Sequence, residues 1–538
     1  MSTKFSMAMN ASAKTWNNAV SLVSPDPTGQ VAGRLALFFK SAQGLNAPML
    51  YQYIRDAARE NVEDAIVLAF HIRDCRGGKG LREVGRRALV WLFVSFPDEF
   101  RKILHLIPEY GRWDDLLQFF PKVLELNNID SVKVNYVADI PNAKHWENVL
   151  SLQREVVKFY ALQIMEDEKN MHEGNKCSLA AKWTPTERDS LDRKHGVFAV
   201  LSEATGISPR KFRKKFNTPL RSYVNVVERF ICSGKWDHVD YNKVPSHAMK
   251  KLRKAFEKHD EERFQAWREA LKKNDPTIAK VNAKQLHPHE LVREFRTKGC
   301  LDEVLEAQWR VLVQEVKKLG TLQDTVVVCD TSGSMTNNNN LPMDISVAMG
   351  MIISECVEGP FGNHVITFNT NPAFVQVKKG PAFDRYRQIK NIDWGGSTNL
   401  QATFELILNR GKSCGLTDED MPKRLIIVSD MQFNAVETSG WGASKTQTNF
   451  EAIDEMYRNS GYTRPQIVFW NVNGSSTDFP VTAGEHGTAL VSGSSPSTLR
   501  AIINGADFTP KGIMRETLDD ERYKPVRDAL DLPVLVEM

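Results

Sequence analysis

The chain has 538 residues, of which 42% are hydrophobic and 25% charged, close to the average of soluble globular proteins. That balance excludes a mostly disordered, collagen-like or fibrous chain, and the length predicts about two to four domains around buried cores. The formal charge of +4 hides an asymmetry: residues 1–320 carry 52 Lys and Arg against 40 Asp and Glu, residues 321–538 carry 18 against 26, and residues 201–300 alone carry 23 against 12. A concentrated positive excess attracts polyanions, nucleic acid foremost; the plainer reading is a solvated helix face, or a patch that docks the acidic second part.

The opening residues show no basic stretch followed by an apolar block, so no secretory leader is expected. No run approaches about 18 uninterrupted apolar residues, so no membrane span is expected either. The 7 cysteines are scattered without a CxxC pair, which fits reduced thiols in a cytoplasmic or nuclear protein. From about residue 30 to 318 the pattern is helix after helix, with apolar stripes at helical spacing through 47–60, 62–73, 99–107, 146–166, 219–232, 245–257, 260–272 and 302–318. Arg76-Gly77-Gly78-Lys79-Gly80, Glu109-Tyr110-Gly111, Ser233-Gly234 and Asn274-Asp275-Pro276 separate the stripes as turns. Ser208-Pro209 reads as a helix cap followed by a first-turn proline. Short joins between many helices predict hairpins stacked as an α-solenoid of HEAT-like type, without a clean sequence repeat.

The grammar changes after Gly320. Thr325–Cys329, His364–Phe368, Leu425–Val428 and Gln466–Trp470 are short apolar runs, and helical stretches lie between them near 343–357, 399–410 and 448–458. Buried strands alternating with helices predict a doubly wound parallel sheet. The expected organisation is an all-α helical-repeat domain over 1–319, open or closed into a ring, and an α/β domain over 320–538.

Three features fall where such a sheet binds ligands, beyond the carboxyl ends of its strands. They are Asp330-Thr331-Ser332-Gly333-Ser334 after the first strand, Gly395-Gly396-Ser397-Thr398-Asn399 in a later loop, and Ser429-Asp430 after a later strand. Two carboxylates and three hydroxyls make a hard, oxygen-only set suited to Mg²⁺ or Mn²⁺, and Gly333 reads as the residue that lets the backbone turn toward the ion. The plainer reading is an Asp and Ser capping the following helix. The pattern resembles the metal-ion-dependent adhesion site of von Willebrand factor A-like (vWA) domains. By that resemblance Asp330, Ser332, Ser334, Thr398 and Asp430 are the metal residues, and few direct protein charges leave the ion an open position for a protein partner's carboxylate or a water.

The helical part carries a second resemblance. His71-Ile72-Arg73-Asp74-Cys75-Arg76-Gly77-Gly78-Lys79-Gly80, Ile107-Pro108-Glu109-Tyr110-Gly111-Arg112-Trp113-Asp114-Asp115, Leu179-Ala180-Ala181-Lys182-Trp183-Thr184-Pro185 and Asp240-Tyr241-Asn242-Lys243-Val244-Pro245-Ser246 resemble an uncharacterised family of helical-repeat plus vWA proteins of plants, fungi and large DNA viruses. That architecture is in turn similar to the TROVE-type Ro ribonucleoproteins. The resemblance implies a monomeric RNA-binding protein for small non-coding or single-stranded RNA, with a protein partner at the metal site.

Ser208-Pro209-Arg210-Lys211-Phe212-Arg213-Lys214-Lys215-Phe216 interleaves cations with phenylalanine. Cations neutralise phosphates and aromatic faces stack on unpaired bases, yet Phe212 and Phe216 stand four apart and are assigned to the core. The RNA candidates are Arg210, Lys211, Arg213, Lys214, Lys215 and Arg221, with Lys182, Lys250 and Lys254 as further charge; Lys235-Trp236 is a weaker version of the same signal. Arg76-Gly77-Gly78-Lys79-Gly80 lacks P-loop spacing and reads as a tight interhelical turn, with an RNA phosphate as the alternative contact. His287-Pro288-His289-Glu290 reads as a helix start rather than a metal set. The sequence holds no nucleophile elbow, no HExxH and no paired catalytic carboxylates, so no enzymatic activity is expected.

Overall fold

The computed structural model describes residues 12–14, 20–22, 32–119, 146–189, 192–193, 196–368, 371–392, 399–432, 449–475 and 479–531. A short antiparallel pair, β1 (Ser12–Lys14) and β2 (Val20–Leu22), precedes a helical region. Its main helices are α1 (Gly33–Lys40), α2 (Ala47–Glu60), α3 (Val62–Arg73), α4 (Arg82–Ser95), α5 (Trp146–His172), α6 (Ser246–His259), α7 (Glu261–Lys272), α8 (Pro288–Lys298) and α9 (Glu303–Lys317), with shorter helices between them. The starts are written in the sequence. Asn46 accepts from the Met49 N–H with Pro48 in the first turn, Asn61 both ends α2 and caps α3, and Asp302 takes the N–H groups of Val304 and Leu305. Each such cap contributes about 1 kcal/mol.

The second region is an α/β domain. Its six-stranded sheet has the order β10 (Thr488–Ser492), β9 (Gln466–Asn471), β8 (Arg424–Ser429), β4 (Thr325–Cys329), β6 (His364–Thr367), β7 (Phe374–Gln376), and only β7 runs antiparallel. A small parallel pair, β3 (Leu322–Gln323) and β5 (Val357–Glu358), flanks it. The central strands are buried at nearly every position, so both faces of the sheet are covered. The helices are α10 (Asn337–Cys356), α11 (Ala382–Lys390), α12 (Leu400–Cys414), α13 (Asn449–Ser460), α14 (Leu499–Asn504), α15 (Pro510–Leu518) and α16 (Lys524–Asp531). Gly350 of α10 explains the closeness of helix and sheet: a Cβ there would sit 2.2 Å from the Cys329 sulfur.

The chain passes from helices to sheet between α9 and β3, near the expected division at 319/320, but the packing crosses it. One hydrophobic core runs from Leu35 in α1 to Ala529 in α16. The fully buried Lys79 ammonium bonds the carbonyls of Phe38 and Ser41 and, at 2.6 Å, the hydroxyl of Ser492 at the end of β10. Asp64 of α3 receives Arg34 together with Arg515 of α15 and Arg527 of α16, and Asp74 receives Arg522. Residues 239–271, joined by Ala279, Val304 and Ala307, form a separate small core. All 7 cysteines are free.

Candidate functional site

Asp330 follows β4 and Asp430 follows β8. These strands are neighbours, but the chain leaves β4 toward β6 and only later returns to β8 on the opposite side. The two ends therefore flank the point where strand order reverses, the place where parallel sheets bind ligands. The Asp330 N–H donates to the Val428 carbonyl at 3.0 Å, which locks the two strand ends together.

Both carboxylates are buried, Asp330 at 0% and Asp430 at 2% exposure. Asp330 accepts from the Ser332 N–H at 2.9 Å and from the Ser429 hydroxyl at 2.5 Å. Asp430 accepts from the Gln432 N–H at 3.3 Å, and the Ser334 hydroxyl also serves it. The hydroxyls of Ser332 and Ser334 lie 3.1 Å apart. Burial first, and then the charge of Asp430, pushes the Asp330 carboxyl up to about 7; burial raises Asp430 as well. Neither carboxylate forms an ion pair with a described residue. Two buried like charges held by neutral donors need a proton or a cation between them, and the surrounding oxygens are those a hard divalent ion takes. The residues thus fit the ion that the sequence suggests. Among the described residues no group of three His, Cys, Asp or Glu side chains is placed to hold a metal ion, so a site here rests on two carboxylates supplemented by hydroxyls.

Thr398 lies outside the described residues. The described end of its loop, Asn399, caps α12 through the Ala402 N–H at 2.9 Å. Gly333 does not turn the backbone as its position suggested: its φ is ordinary and an added Cβ meets nothing within 4 Å. The turn is made instead by a short 3₁₀ helix, Gly333–Thr336, and by three successive left-handed residues, Asn338, Asn339 and Asn340. Asparagine tolerates that conformation better than most side chains, and this run was the signal the sequence offered. Met431, buried next to Asp430, is also left-handed, with φ 67°. Ser429, the donor to Asp330, is the partner that pattern reading passed over.

The basic segment is helical from Pro209, with Arg213–Asn217 wound as a π-helical turn, a rare geometry that recurs at functional sites. Ser208 occupies the cap position without a side-chain cap bond. Phe212 and Phe216 are buried at 0% and 1% exposure, as their spacing predicts. Arg210, Lys211, Arg213 and Lys214 are exposed and make no ion pair with a described residue, and the same holds for Lys254. Lys215 is exposed but 3.7 Å from Glu168, and Lys250 is 3.0 Å from Glu294. Lys182 lies 5.8 Å from the Trp183 ring, which Arg112 also covers. Arg221 is spent inside the fold. Its guanidinium bonds the carbonyls of Ala181 and Thr184 and the hydroxyl of Thr186, so its expected place in an RNA-facing group is replaced by an internal clamp.

The glycine-rich turn is structural. Asp74 accepts from the N–H groups of Arg76 and Gly77, Arg73 is buried against Asp115, and Lys79 is buried at the seam; the turn joins α3 to α4, whereas a phosphate loop follows a strand. His287 and Glu290 form a capping box that starts α8. Trp113 stacks on Phe159 at 5.8 Å, and Asp114 and Asp115 bind Arg82, Arg86 and Arg73.

Residues 324–534 match the model of a domain of unknown function, DUF7788, and residues 135–322 match that of a second domain of unknown function, DUF2828. An uncharacterised protein of Acanthamoeba polyphaga mimivirus, L728, is 28% identical over 489 residues, covering 87% of this chain and 82% of that protein.

Proposed function

We propose that the chain is a non-enzymatic RNA-binding scaffold of Ro-like architecture, in which a vWA-type domain holds Mg²⁺ or Mn²⁺ for a protein partner. The observation that carries the RNA reading is the set Arg210, Lys211, Arg213 and Lys214, exposed on a helical ridge whose phenylalanines anchor it inward. A cation with no carboxylate nearby keeps its full attraction for phosphate, and releasing counterions from RNA drives the association. When bound, the divalent ion supplies an electrophilic centre for a carboxylate. Asp330, Ser332, Ser334 and Asp430 would hold it, with Thr398 expected to join them. The residues' own part is to keep the pocket dry and to orient the two carboxylates through Ser429 and the Ser332 and Gln432 backbone.

Electrophoretic mobility shifts with mixed cellular RNA at low salt test the reading. Submicromolar binding that weakens steeply as salt rises is expected, and its absence at low salt removes the RNA assignment. A second reading, a protein-interaction module without RNA, draws on the buried Asp330–Asp430 pair alone. Partners that survive nuclease but are lost with EDTA, in a chain that shifts no RNA, would favour it.

A further inference from the structure

Several parts of the chain meet at the start of α8. His287 is its cap residue and His289 its second residue, with the two rings 5.5 Å apart and 30° from parallel. Ser494, in the loop after β10, brings its hydroxyl within 3.3 Å of the His287 Nδ1. The same loop holds the glycine-rich turn: the Ser497 hydroxyl donates to the Gly78 carbonyl at 2.9 Å, and a Cβ on Gly80 would sit 2.9 Å from the His287 Nε2. From α6, His247 comes within 3.9 Å of Glu290.

The surroundings favour neutral rings. In the capping box the His287 ring accepts the Glu290 N–H, while the Glu290 carboxylate accepts the His287 N–H at 3.0 Å. A ring with protons on both nitrogens accepts nothing. His289 is 7% exposed, and its Nδ1 has no hydrogen-bond partner among the described residues. Burial first, and then the charges of His287, Arg293 and Lys250, hold it well below the ordinary histidine value. His247 is lowered by burial, with Glu290 opposing and Arg112, His287 and Lys250 assisting. The carboxylates nearby are engaged: Glu290 by the cap, Glu294 by Lys250 at 3.0 Å, and Asp344 by Arg293 at 3.1 Å. Lys79, next to Gly80, sends its ammonium to backbone oxygens and Ser492 instead. A positive charge at a helix start also opposes the helix dipole.

We propose that the start of α8 is an acid-operated latch between the helical region and the α/β domain. Protons on His287, His289 and His247 undo the capping box and gather cations at one helix start. They thereby part α8 from the Ser494 loop and from the glycine-rich turn. Because His247 and His289 are held low, their stabilisation is full above the open-state value near 6.5 and drains as pH falls toward the folded values. The latch therefore holds at neutral pH and slackens in a mildly acidic medium, where carboxylates such as Asp64 keep their charge. It stands independently of the RNA and metal readings.

Hydrogen exchange of the full chain at about pH 7.5 and about pH 5, divided by the intrinsic pH dependence of exchange, tests the latch. Segments 284–292 and 493–498 should exchange about tenfold faster or more at the lower pH, the linkage of one site over about one pH unit, while α2 keeps its protection. His287→Asn with His289→Phe should remove most of that difference, since asparagine caps without titrating and phenylalanine keeps a ring in place. Equal exchange of the parent chain at both pH values overturns the proposal. So does a double variant that slackens as the parent does, or an α2 that loosens in step, which would be general acid unfolding. If the double variant does not fold at neutral pH, His287→Asn alone decides. It should keep the Glu290 amide protected at about pH 5, and loss of that protection overturns the proposal.

Discussion

Residues 33–119 and residues 201–300 are both helical and both rich in Arg and Lys, yet the second leaves more of its charges on the surface without a partner carboxylate among the described residues. In the first stretch Arg34, Arg73 and Arg86 point at the buried carboxylates of Asp64, Asp114 and Asp115, and Lys79 is buried against backbone oxygens and Ser492. In the second, Arg253 and Arg268 find Asp302 and Glu303, but Arg210, Lys211, Arg213, Lys214, Lys235, Lys254 and Lys258 stay outside. The first stretch packs on the α/β domain in one continuous core; much of the second stands on a small satellite core. Basic composition alone therefore says little. A cation becomes structural where the fold brings a carboxylate within reach, and stays available for an outside polyanion where it does not.

The contrast breaks most sharply at Asp64, whose side chain is 3% exposed and serves three arginines from both regions. Asp64→Ala leaves those guanidiniums facing each other and should cost about 3–5 kcal/mol in urea unfolding. A loss under about 1 kcal/mol would mean that the seam is not where stability lies. The same group sets an acid limit. Burial pushes its carboxyl upward, but the hydrogen bonds from Arg527 and Arg34 and the charge of Arg515 outweigh burial and hold it below its ordinary value. A lowered folded value stabilises above the unfolded value near 4 and is lost as pH falls through the folded one. Stability should drop below about pH 4, and Asp64→Asn should flatten that drop.

How much of this was legible depends on whether the signal is local. Thr325–Cys329 and the strands at 425–428 and 466–470 announce themselves as unbroken β-branched or aromatic runs, because both faces of a covered sheet must be apolar. Thr488–Ser492 escaped notice: Thr-Ala-Leu-Val-Ser has only three apolar residues between two hydroxyl side chains, and only its place beside β9 makes it a strand. The capping box at His287 and Glu290 and the inward turn of Phe212 and Phe216 follow from spacing within one helix. The division at 319/320 reflects a change of local pattern, but the seam joins Asp64 to Arg515 across 451 positions and Asp74 to Arg522 across 448. No periodicity encodes such pairs. At the strand-end site, Asp330, Ser332, Ser334 and Asp430 were readable as a motif, whereas Ser429 became a partner only through the β4–β8 register.

The next effect in size contrasts a buried pair that has no cationic side chain beside it among the described residues with the seam carboxylates that do. A ligand that binds only the folded chain, at about a hundredfold over its Kd, adds about 2.7 kcal/mol. Mg²⁺ should raise the melting temperature by several degrees over EDTA, and Asp430→Ala should melt lower than the parent in Mg²⁺ but not in EDTA. Equal shifts in both buffers would make Asp430 a structural aspartate. A smaller loss, about 1–3 kcal/mol, is expected for Arg221→Ala, which orphans the carbonyls of Ala181 and Thr184. RNA affinity should not follow it.

The smallest effect on stability is the most informative about function. Lys214 has no ion pair with a described residue, and Lys215 has only Glu168 at 3.7 Å, so both are surface charges. Reversing them, Lys214→Glu with Lys215→Glu, should change unfolding free energy by no more than about 0.5 kcal/mol. If these lysines meet phosphates, the same variant should weaken RNA binding about tenfold or more at low salt and reduce the salt dependence by about one unit per lost contact. The two measurements separate what the two stretches of helix confuse. Arg221 lies six and seven positions away in the same basic run, yet it should move stability without moving affinity, and the lysines should do the reverse. An Arg221→Ala chain that loses RNA while keeping its stability would place the binding face on the clamp side and move it away from the ridge.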